Sequence, residues 1–529
     1  MAKNKPVYAF EEADSKKRML LGGKGAGLSE MTRLKLPVPP GFTITTEVCN
    51  KYYDNNGKLP KDVMPAVMKN ITKMEKKTGK KWNSTKNPLL VSVRSGAAIS
   101  MPGMMDTILN LGLNEKTVEG FAEQTKNPRF SWDSYRRFIQ LFGKVVFGVN
   151  DEKFDHVLDD AKEKQGVTDD SKLSVESLKS IVSKYKKICE EHTKRKFPDT
   201  PDEQLVLSIE AVFKSWMGER AIVYREKNNI TKDIANGTAV NVVTMVFGNM
   251  GDDSATGVVF TRNGHNGKKE IEGEYLINAQ GEDVVAGVRT GKSIELLKKD
   301  MPKSHKELSN ACAKLEKHFR EPQDIEFTIE QGKFYLLQTR TAKMSAAALV
   351  KTSVDMVKEK LINKDKALTR IPAQQLEALL HRTMDESKIK DFKKLAKGIA
   401  ASPGAASGIV VFDVKKAIEL GDSGKKVILV RKETKPEDVP AFFSSEGILT
   451  SLGGKSSHAA IVSRGMGKPC IVGCPELKID YDNNIGTANG MTIKEGETIT
   501  IDGSEGTVFI GEIPTVEPKV TKDFEQILA

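Results

Sequence analysis

Cysteine is scarce, with five in 529 residues, at positions 49, 189, 312, 470 and 474. So sparse and odd a set excludes a disulfide framework, and Cys470 with Cys474 lacks the second pair a zinc site would need. All five are expected to be reduced structural thiols. Aromatics reach only 6%, and no RNA-binding aromatic motif appears. No apolar run approaches the ~20 residues of a membrane-crossing helix, and the opening Met1-Ala-Lys-Asn-Lys5 lacks the apolar core of a secretory leader. A cytoplasmic location, without membrane or nucleic-acid partners, is the resulting expectation. Internal repeats and long low-complexity tracts are also absent.

What the chain does have is bulk and charge. At 529 residues it exceeds one ordinary domain, so several cores are expected. Hydrophobic residues at 39% and charged residues at 29% describe a globular protein. The net charge is +11, but the lysines are interspersed with acids in helical stretches such as 151–164 and 173–194. Phosphate-rich small molecules explain that excess better than a nucleic acid does.

Residues 1–111 mix short apolar strands, such as 91–93, with glycine turns, of which Gly22-Gly-Lys-Gly-Ala-Gly27 opens a helix. From 112 to 200 the pattern is helical and charged, as in an inserted support. Strand-like runs return at 238–247, 256–261, 274–278 and 324–340, giving a second mixed module over 201–340. Residues 341–390 read as a helical linker. Short buried strands at 427–430, 447–449 and 498–502 mark a third module over 391–515, and a helix start follows within 516–529. The expected fold class is multidomain, α/β and α+β.

His458 is the most informative residue. It lies in Leu452-Gly-Gly-Lys-Ser-Ser-His-Ala-Ala-Ile-Val-Ser-Arg-Gly-Met-Gly467, where a glycine turn meets a short helix. Gly453 and Gly454 permit backbone angles closed to other residues, Ser456 or Ser457 caps the helix, and Ala459 and Ala460 keep the surface low. The N–H groups and dipole of a helix start favour an anion beside the ring. Neutral imidazole is a nucleophile near pH 7 without an activating base, and a phosphorylated nitrogen can pass its group onward. A cap or packed histidine is the competing reading of the same position.

The neighbours of His458 make the match specific: Gly453 to Gly467 resembles the phosphohistidine signature of the phosphoenolpyruvate-utilising enzymes. Two further segments, Val91-Ser-Val-Arg-Ser-Gly-Ala-Ala-Ile-Ser-Met-Pro-Gly-Met-Met-Asp106 through Leu113 and Tyr275-Leu-Ile-Asn-Ala-Gln-Gly-Glu-Asp283 through Arg289, closely resemble the pyruvate, phosphate dikinase family. The likeness runs from Lys3 almost to Ala529.

At the nucleotide end the residues alone say less. Gly22 to Gly27 has neither P-loop nor dinucleotide spacing, and a turn with a helix start explains it equally well. Lys24 and Arg94 are cations in separate glycine-rich contexts, able to converge on a polyphosphate. Met101-Pro-Gly-Met-Met105 offers an apolar wall for adenine, or ordinary core. Asp324 to Arg340 reads as a hairpin with a three-residue loop, Glu330-Gln-Gly332, pairing Ile329 with Lys333 and Asp324 with Gln338. Asp324, Glu326, Gln338 and Arg340 then share one face, while Ile325, Phe327, Tyr335 and Leu337 bury the other. That polar face suits a Mg²⁺-phosphate clamp; a solvated face carrying a salt bridge is the alternative.

The resemblance implies an ATP-grasp nucleotide-binding domain made of 1–111 and 201–340 with the helical insertion 112–200. A helical linker, 341–390, and a swivelling β/β/α phosphohistidine domain, 391–515, would follow. Residues 516–529 would begin a linker to a C-terminal phosphoenolpyruvate/pyruvate barrel absent from this chain. Mg²⁺ is the implied metal, with ATP and inorganic phosphate as substrates and a monovalent cation left open. Lys24, Arg94, Gly103, Met105, Arg137, Glu282, Asp283 and Arg340 are the implied nucleotide or phosphate residues. Asp324, Glu326 and Gln338 are the implied metal residues, and His458 the phosphoryl carrier.

In that scheme His458 attacks the β-phosphorus of MgATP, AMP leaves, and inorganic phosphate removes the γ-group as pyrophosphate. The expectation is a monomeric chain limited to its own phosphorylation. Lys455-Ser456 departs from the family's Met-Thr or similar pair, and Ser456 falls where regulated plant members carry a phosphorylatable threonine. Two rivals are a phosphoenolpyruvate synthase or rifamycin-phosphotransferase relative, releasing orthophosphate, and a non-catalytic phosphohistidine carrier. The segment around Arg94 argues against the first. The retained Lys24, Arg94, Glu326 and Arg340 argue against the second.

Overall fold

Val427-Ile-Leu-Val430 is apolar at every position, the pattern of a strand covered on both faces. All four residues are fully buried. In the computed structural model, which describes residues 4–101, 103–285, 291–372, 383–384, 388–516 and 521–528, strand Val427–Arg431 lies inside an eight-stranded sheet. Its order is Lys394–Lys397, Thr507–Ile510, Thr498–Asp502, Ala405–Val411, Val427–Arg431, Gly447–Thr450, Cys470–Val472 and Ile399–Ser402. Ala405–Val411, Val427–Arg431, Gly447–Thr450 and Cys470–Val472 run parallel. Helices Val414–Asp422, Val439–Ser444 and His458–Met466 connect them, and antiparallel strands flank the group. Val410, Ile428, Val430, Leu449, Ile471 and Ile501 form the core, each side chain worth roughly 1.5–3 kcal/mol when fully buried. The chain leaves Gly447–Thr450 at its carboxyl end to reach His458, and open parallel sheets place ligands at that end.

This sheet belongs to one of two units, comprising Gly251–Phe334 and Thr339–Ala529. The same unit holds most of a second sheet, ordered Lys333–Thr341, Gln323–Glu330, Ala255–Phe260, Glu272–Ile277 and Lys292–Ser293. Helix Pro302–Phe319 covers it, with Leu308 and Leu315 inward. Helices Ala346–Lys358 and Lys364–Thr369 fall within the expected linker; residues 373–382 and 385–387 of that linker lie outside the described residues.

The other unit, Met1–Met250 with Tyr335–Gln338, carries an antiparallel sheet. Its order is Val7–Ala9, Gly41–Ile44, Thr238–Thr244, Val91–Ala97 and Thr107–Leu111. Here the structure differs from the sequence reading. Thr238–Thr244, placed by pattern in the 201–340 module, is the central strand of the first sheet, and the helical stretch runs on through Pro201–Ser215 to Glu219–Lys227. Pairing Val91 with Thr244 closes a long loop, which local periodicity does not register.

The hairpin also differs. Its strands end at Glu330 and restart at Lys333, and Gln331 and Gly332 both have positive φ, 47° and 72°. This is a two-residue turn of the I′ kind rather than a three-residue loop. A shift of one place exchanges the faces of a strand. Phe334 and Leu336 are accordingly the buried residues, and the expected Tyr335 and Leu337 are only half-buried.

Candidate functional site

His458 is the first residue of helix His458–Met466. Of the two serines able to cap it, Ser457 does so, its hydroxyl accepting from the Ala460 N–H at 3.5 Å. Gly453 holds φ at +103°, the left-handed region that glycine tolerates. Gly454 is required for a different reason: a Cβ there would stand 1.9 Å from a carboxylate oxygen of Glu274. The loop thus lies against strand Glu272–Ile277. The Lys455 N–H donates to Glu274, and its Nζ pairs with Glu272 at 2.6 Å. Burial raises the Glu274 carboxyl's pKa, with Lys455 opposing.

The imidazole is 9% exposed, and neither Nδ1 nor Nε2 has a hydrogen-bond partner. Its ring meets Phe442 edge-on, with centroids 6.2 Å apart. Burial pushes its pKa down to about 4, with Glu437 weakly opposing. The ring is therefore neutral at pH 7, with a lone pair held by no protein donor. Most buried polar atoms are paired. Between Ser451 and Arg464, however, six are not: Ser451 Oγ, Ser456 Oγ, both His458 nitrogens, Ser463 Oγ and Arg464 Nη1. Ser456 is 1% exposed, so a kinase could reach its hydroxyl only after this loop moved.

In the same unit, Asp324 and Glu326 occupy alternate positions of strand Gln323–Glu330 and so share a face. Asp324 is 3% exposed; one of its oxygens accepts from Arg340 Nε at 2.6 Å, and the other is buried without a partner. Burial raises the Asp324 carboxyl's pKa, and Arg340 draws it back. The salt bridge of the alternative reading is therefore present. Among the described residues no three His, Cys, Asp or Glu side chains cluster as a metal site. Two carboxylates suit Mg²⁺, which takes one or two from protein and completes its shell with water and phosphate oxygens. Asp283 accepts from the Gln280 N–H at 2.9 Å at the start of Gly281–Val285. The Glu282 side chain lies outside the described residues.

In the other unit, helix Arg18–Arg33 is interrupted at Gly22, with φ 70° and ψ 165°. A Cβ on Gly22 would stand 1.8 Å from Gly96 O, and one on Gly96 would stand 3.2 Å from Lys24 Cβ. Arg94 and Gly96 alternate on strand Val91–Ala97, so Lys24 and Arg94 converge on one face. Met101 and Met104 are buried, Met105 and Gly103 half-buried, and Pro102 lies outside the described residues. Arg137 pairs with Asp133 at 3.2 Å, where Arg136 and Arg137 outweigh the burial that would raise the Asp133 carboxyl's pKa and hold it down at about 2. Gln338 is buried. All five cysteines are buried and free.

Residues 18–63, 56–307 and 301–361 match the family described as "Pyruvate phosphate dikinase, AMP/ATP-binding domain". Residues 424–506 match "PEP-utilising enzyme, mobile domain". A pyruvate, phosphate dikinase of Entamoeba histolytica is 53% identical over 516 residues, 97% of this chain and 58% of that protein. The Clostridium symbiosum protein of that name is 50% identical, covering 99% of this chain and 60% of its own length. The chloroplastic pyruvate, phosphate dikinase 1 of Arabidopsis thaliana is 45% identical, covering 99% and 55%. The chain thus spans between half and two thirds of the length of these relatives. No helix among the described residues is long and apolar enough to cross a membrane.

Proposed function

The chain belongs to the pyruvate phosphate dikinase AMP/ATP-binding domain family, and from that premise we propose that it carries out the ATP-dependent half of a dikinase reaction, with His458 as the phosphoryl carrier. The observation that carries this reading is the His458 ring: buried, neutral at pH 7 and unpaired at both nitrogens, beside a helix start at the carboxyl end of a parallel sheet.

An imidazole nitrogen of His458 attacks the β-phosphorus of ATP, the bond to the α-phosphate oxygen breaks, and AMP leaves. Inorganic phosphate then attacks the terminal phosphorus of the pyrophosphorylated ring, releasing pyrophosphate and leaving one phosphoryl group on His458. Lys24 and Arg94 would hold the polyphosphate, with Gly103 and Met105 flanking the nucleotide and Arg137, Glu282 and Asp283 toward phosphate. Asp324 and Glu326, with Gln338, would hold Mg²⁺. When bound, the metal supplies charge neutralisation on the phosphate oxygens. Arg340 holds Asp324 in place through its 2.6 Å hydrogen bond. Little covalent chemistry is left to the protein beyond the histidine, so positioning and charge dominate.

The test uses ATP labelled at the β or γ phosphate, with Mg²⁺, with and without inorganic phosphate. Acid-labile β-label on the chain, with AMP released and pyrophosphate formed only when phosphate is added, is expected. γ-label leaving as orthophosphate without added phosphate would replace this reading with the synthase-like one. No label on the chain would leave it a carrier charged by a partner.

A further inference from the structure

Lys455, three residues before His458, is gripped at each of its polar groups. Its N–H donates to Glu274, its carbonyl accepts from Arg464 Nη2 at 3.3 Å, and its Nζ donates to Glu272 Oε1 at 2.6 Å. Glu272 and Glu274 alternate on strand Glu272–Ile277 and so share the face that meets the loop. Glu272 is itself held ready, because its other oxygen accepts from the Gly264 N–H at 3.0 Å. Ser456 Oγ and both His458 nitrogens, in contrast, have no partner. Other bonds of the loop, from Ser451 N to Arg431 O and from Leu452 N to Lys432 O, stay on the side of the eight-stranded sheet. The polar grip on strand Glu272–Ile277 therefore runs through Lys455.

Exposed ion pairs contribute little, but this pair is partly buried, with the carboxylate 13% and the lysine 33% exposed. Two acids also stand together here. Burial raises the Glu274 carboxyl's pKa, Lys455 lowers it, and Glu272 raises it again. Withdrawing Lys455 would leave both acids without their cation, which opposes separation of the loop from the strand. The docked helix adjoins the Asp324–Arg340 clamp. A Cβ on Gly465 would stand 2.9 Å from the Nζ of Lys343, three residues past Arg340. Burial raises the Asp324 carboxyl's pKa, and Arg340 and Arg464 both act against it. A nucleophile must stand about 3–3.5 Å from the atom it attacks, so the seat of this loop bears directly on the rate.

We propose that Glu272 and Lys455 form a docking pair in which Glu272 is a positioning residue for phosphoryl transfer: it holds the Ser451–Ser457 loop against strand Glu272–Ile277 and so seats the helix carrying His458 beside the Asp324–Arg340 clamp. This rests on the reading of His458 as the carrier. Lys455 is also where the sequence departs from the family's loop, so the pair is a feature of this chain. Neither residue forms a covalent bond in the reaction.

The experiment compares wild type with Glu272→Gln, Lys455→Met and the double variant. Gln keeps an acceptor for the Gly264 N–H, and Met keeps the length and the main-chain groups of Lys455. Melting temperature and MgATP binding are measured for each, and exchange of the loop amides is followed by mass spectrometry without ATP. Wild type is expected to take the β-label. Either single variant should slow label formation about ten-fold, with MgATP affinity and melting temperature near those of wild type, and should speed exchange of the Lys455 amide. The double variant should be no slower than either single one, because both remove the same contact. Additive slowing in the double variant, or single variants that label and exchange as wild type does, overturns the inference alone. Absence of label in wild type overturns the reading beneath it, and the role in transfer with it.

Discussion

Two buried arginines in one unit show two ways of burying a charge, with carboxylate partners and with carbonyls alone. Arg262 is fully buried and fully neutralised: it donates to Glu316 at 2.8 and 3.1 Å and to Glu359 at 2.8 and 3.1 Å. Burial alone would lower its pKa, but the two glutamates outweigh that and raise it. Thr261 and Lys269 complete the network on the same two carboxylates. Arg464 is as deeply buried, yet it meets only carbonyls and its pKa is lowered. The first ties the end of strand Ala255–Phe260 to helix Pro302–Phe319, before the hairpin, and to the end of helix Ala346–Lys358, after it. The second is held by carbonyls, those of Ala401 and of Lys455 in the loop that leads to His458. Orphaned buried polar groups recur along the segment from Ser451 to Arg464, as expected where a site departs from the rules the rest of the fold obeys.

The sharpest way to break the contrast is at its chemical end. His458→Asn is expected to abolish phosphoryl label altogether while leaving the melting temperature near that of wild type, checked by single-turnover labelling. Next in size is the structural end. Arg262→Met strands Glu316 and Glu359 without their cation and should cost about 3–5 kcal/mol of stability, read by denaturant titration. If Arg262→Met instead removed label without loss of stability, the assignment of roles would be reversed.

The third effect is pH-linked. A histidine whose folded pKa is about 4, against an ordinary unfolded value near 6.5, binds more protons unfolded than folded between those limits. Stability should therefore rise with pH through that window and level off above it. The His458 contribution is at most about 3–4 kcal/mol at about 1.4 kcal/mol per unit. Comparing the pH dependence of stability in wild type and His458→Asn measures it, and identical slopes would contradict the burial. The smallest effect serves as a baseline: Lys187→Ala, breaking an exposed pair with Glu191 at 3.8 Å, should leave melting temperature and labelling unchanged.

The chemistry was more legible in the sequence than the topology. His458, its glycine turn and its cap are set by local residues, as is strand Val427–Arg431, whose apolar run admits little else. The hairpin was placed correctly but its register missed by one. The reason is that Gln331 takes a left-handed φ of 47° where the turn rule leads one to look for asparagine, aspartate or glycine. Thr238–Thr244 was misassigned because its partners lie far away in the chain. Arg464 was within the quoted motif all along, six residues after His458, but spacing alone gives no account of its charge. Only the structure shows that carbonyls receive its hydrogen bonds.

The most direct test of the central claim is to label wild type with β-labelled ATP, quench in alkali and map the labelled peptide. The account predicts acid-labile label on His458 alone. Label on Ser456 or another hydroxyl, stable to acid, would contradict it.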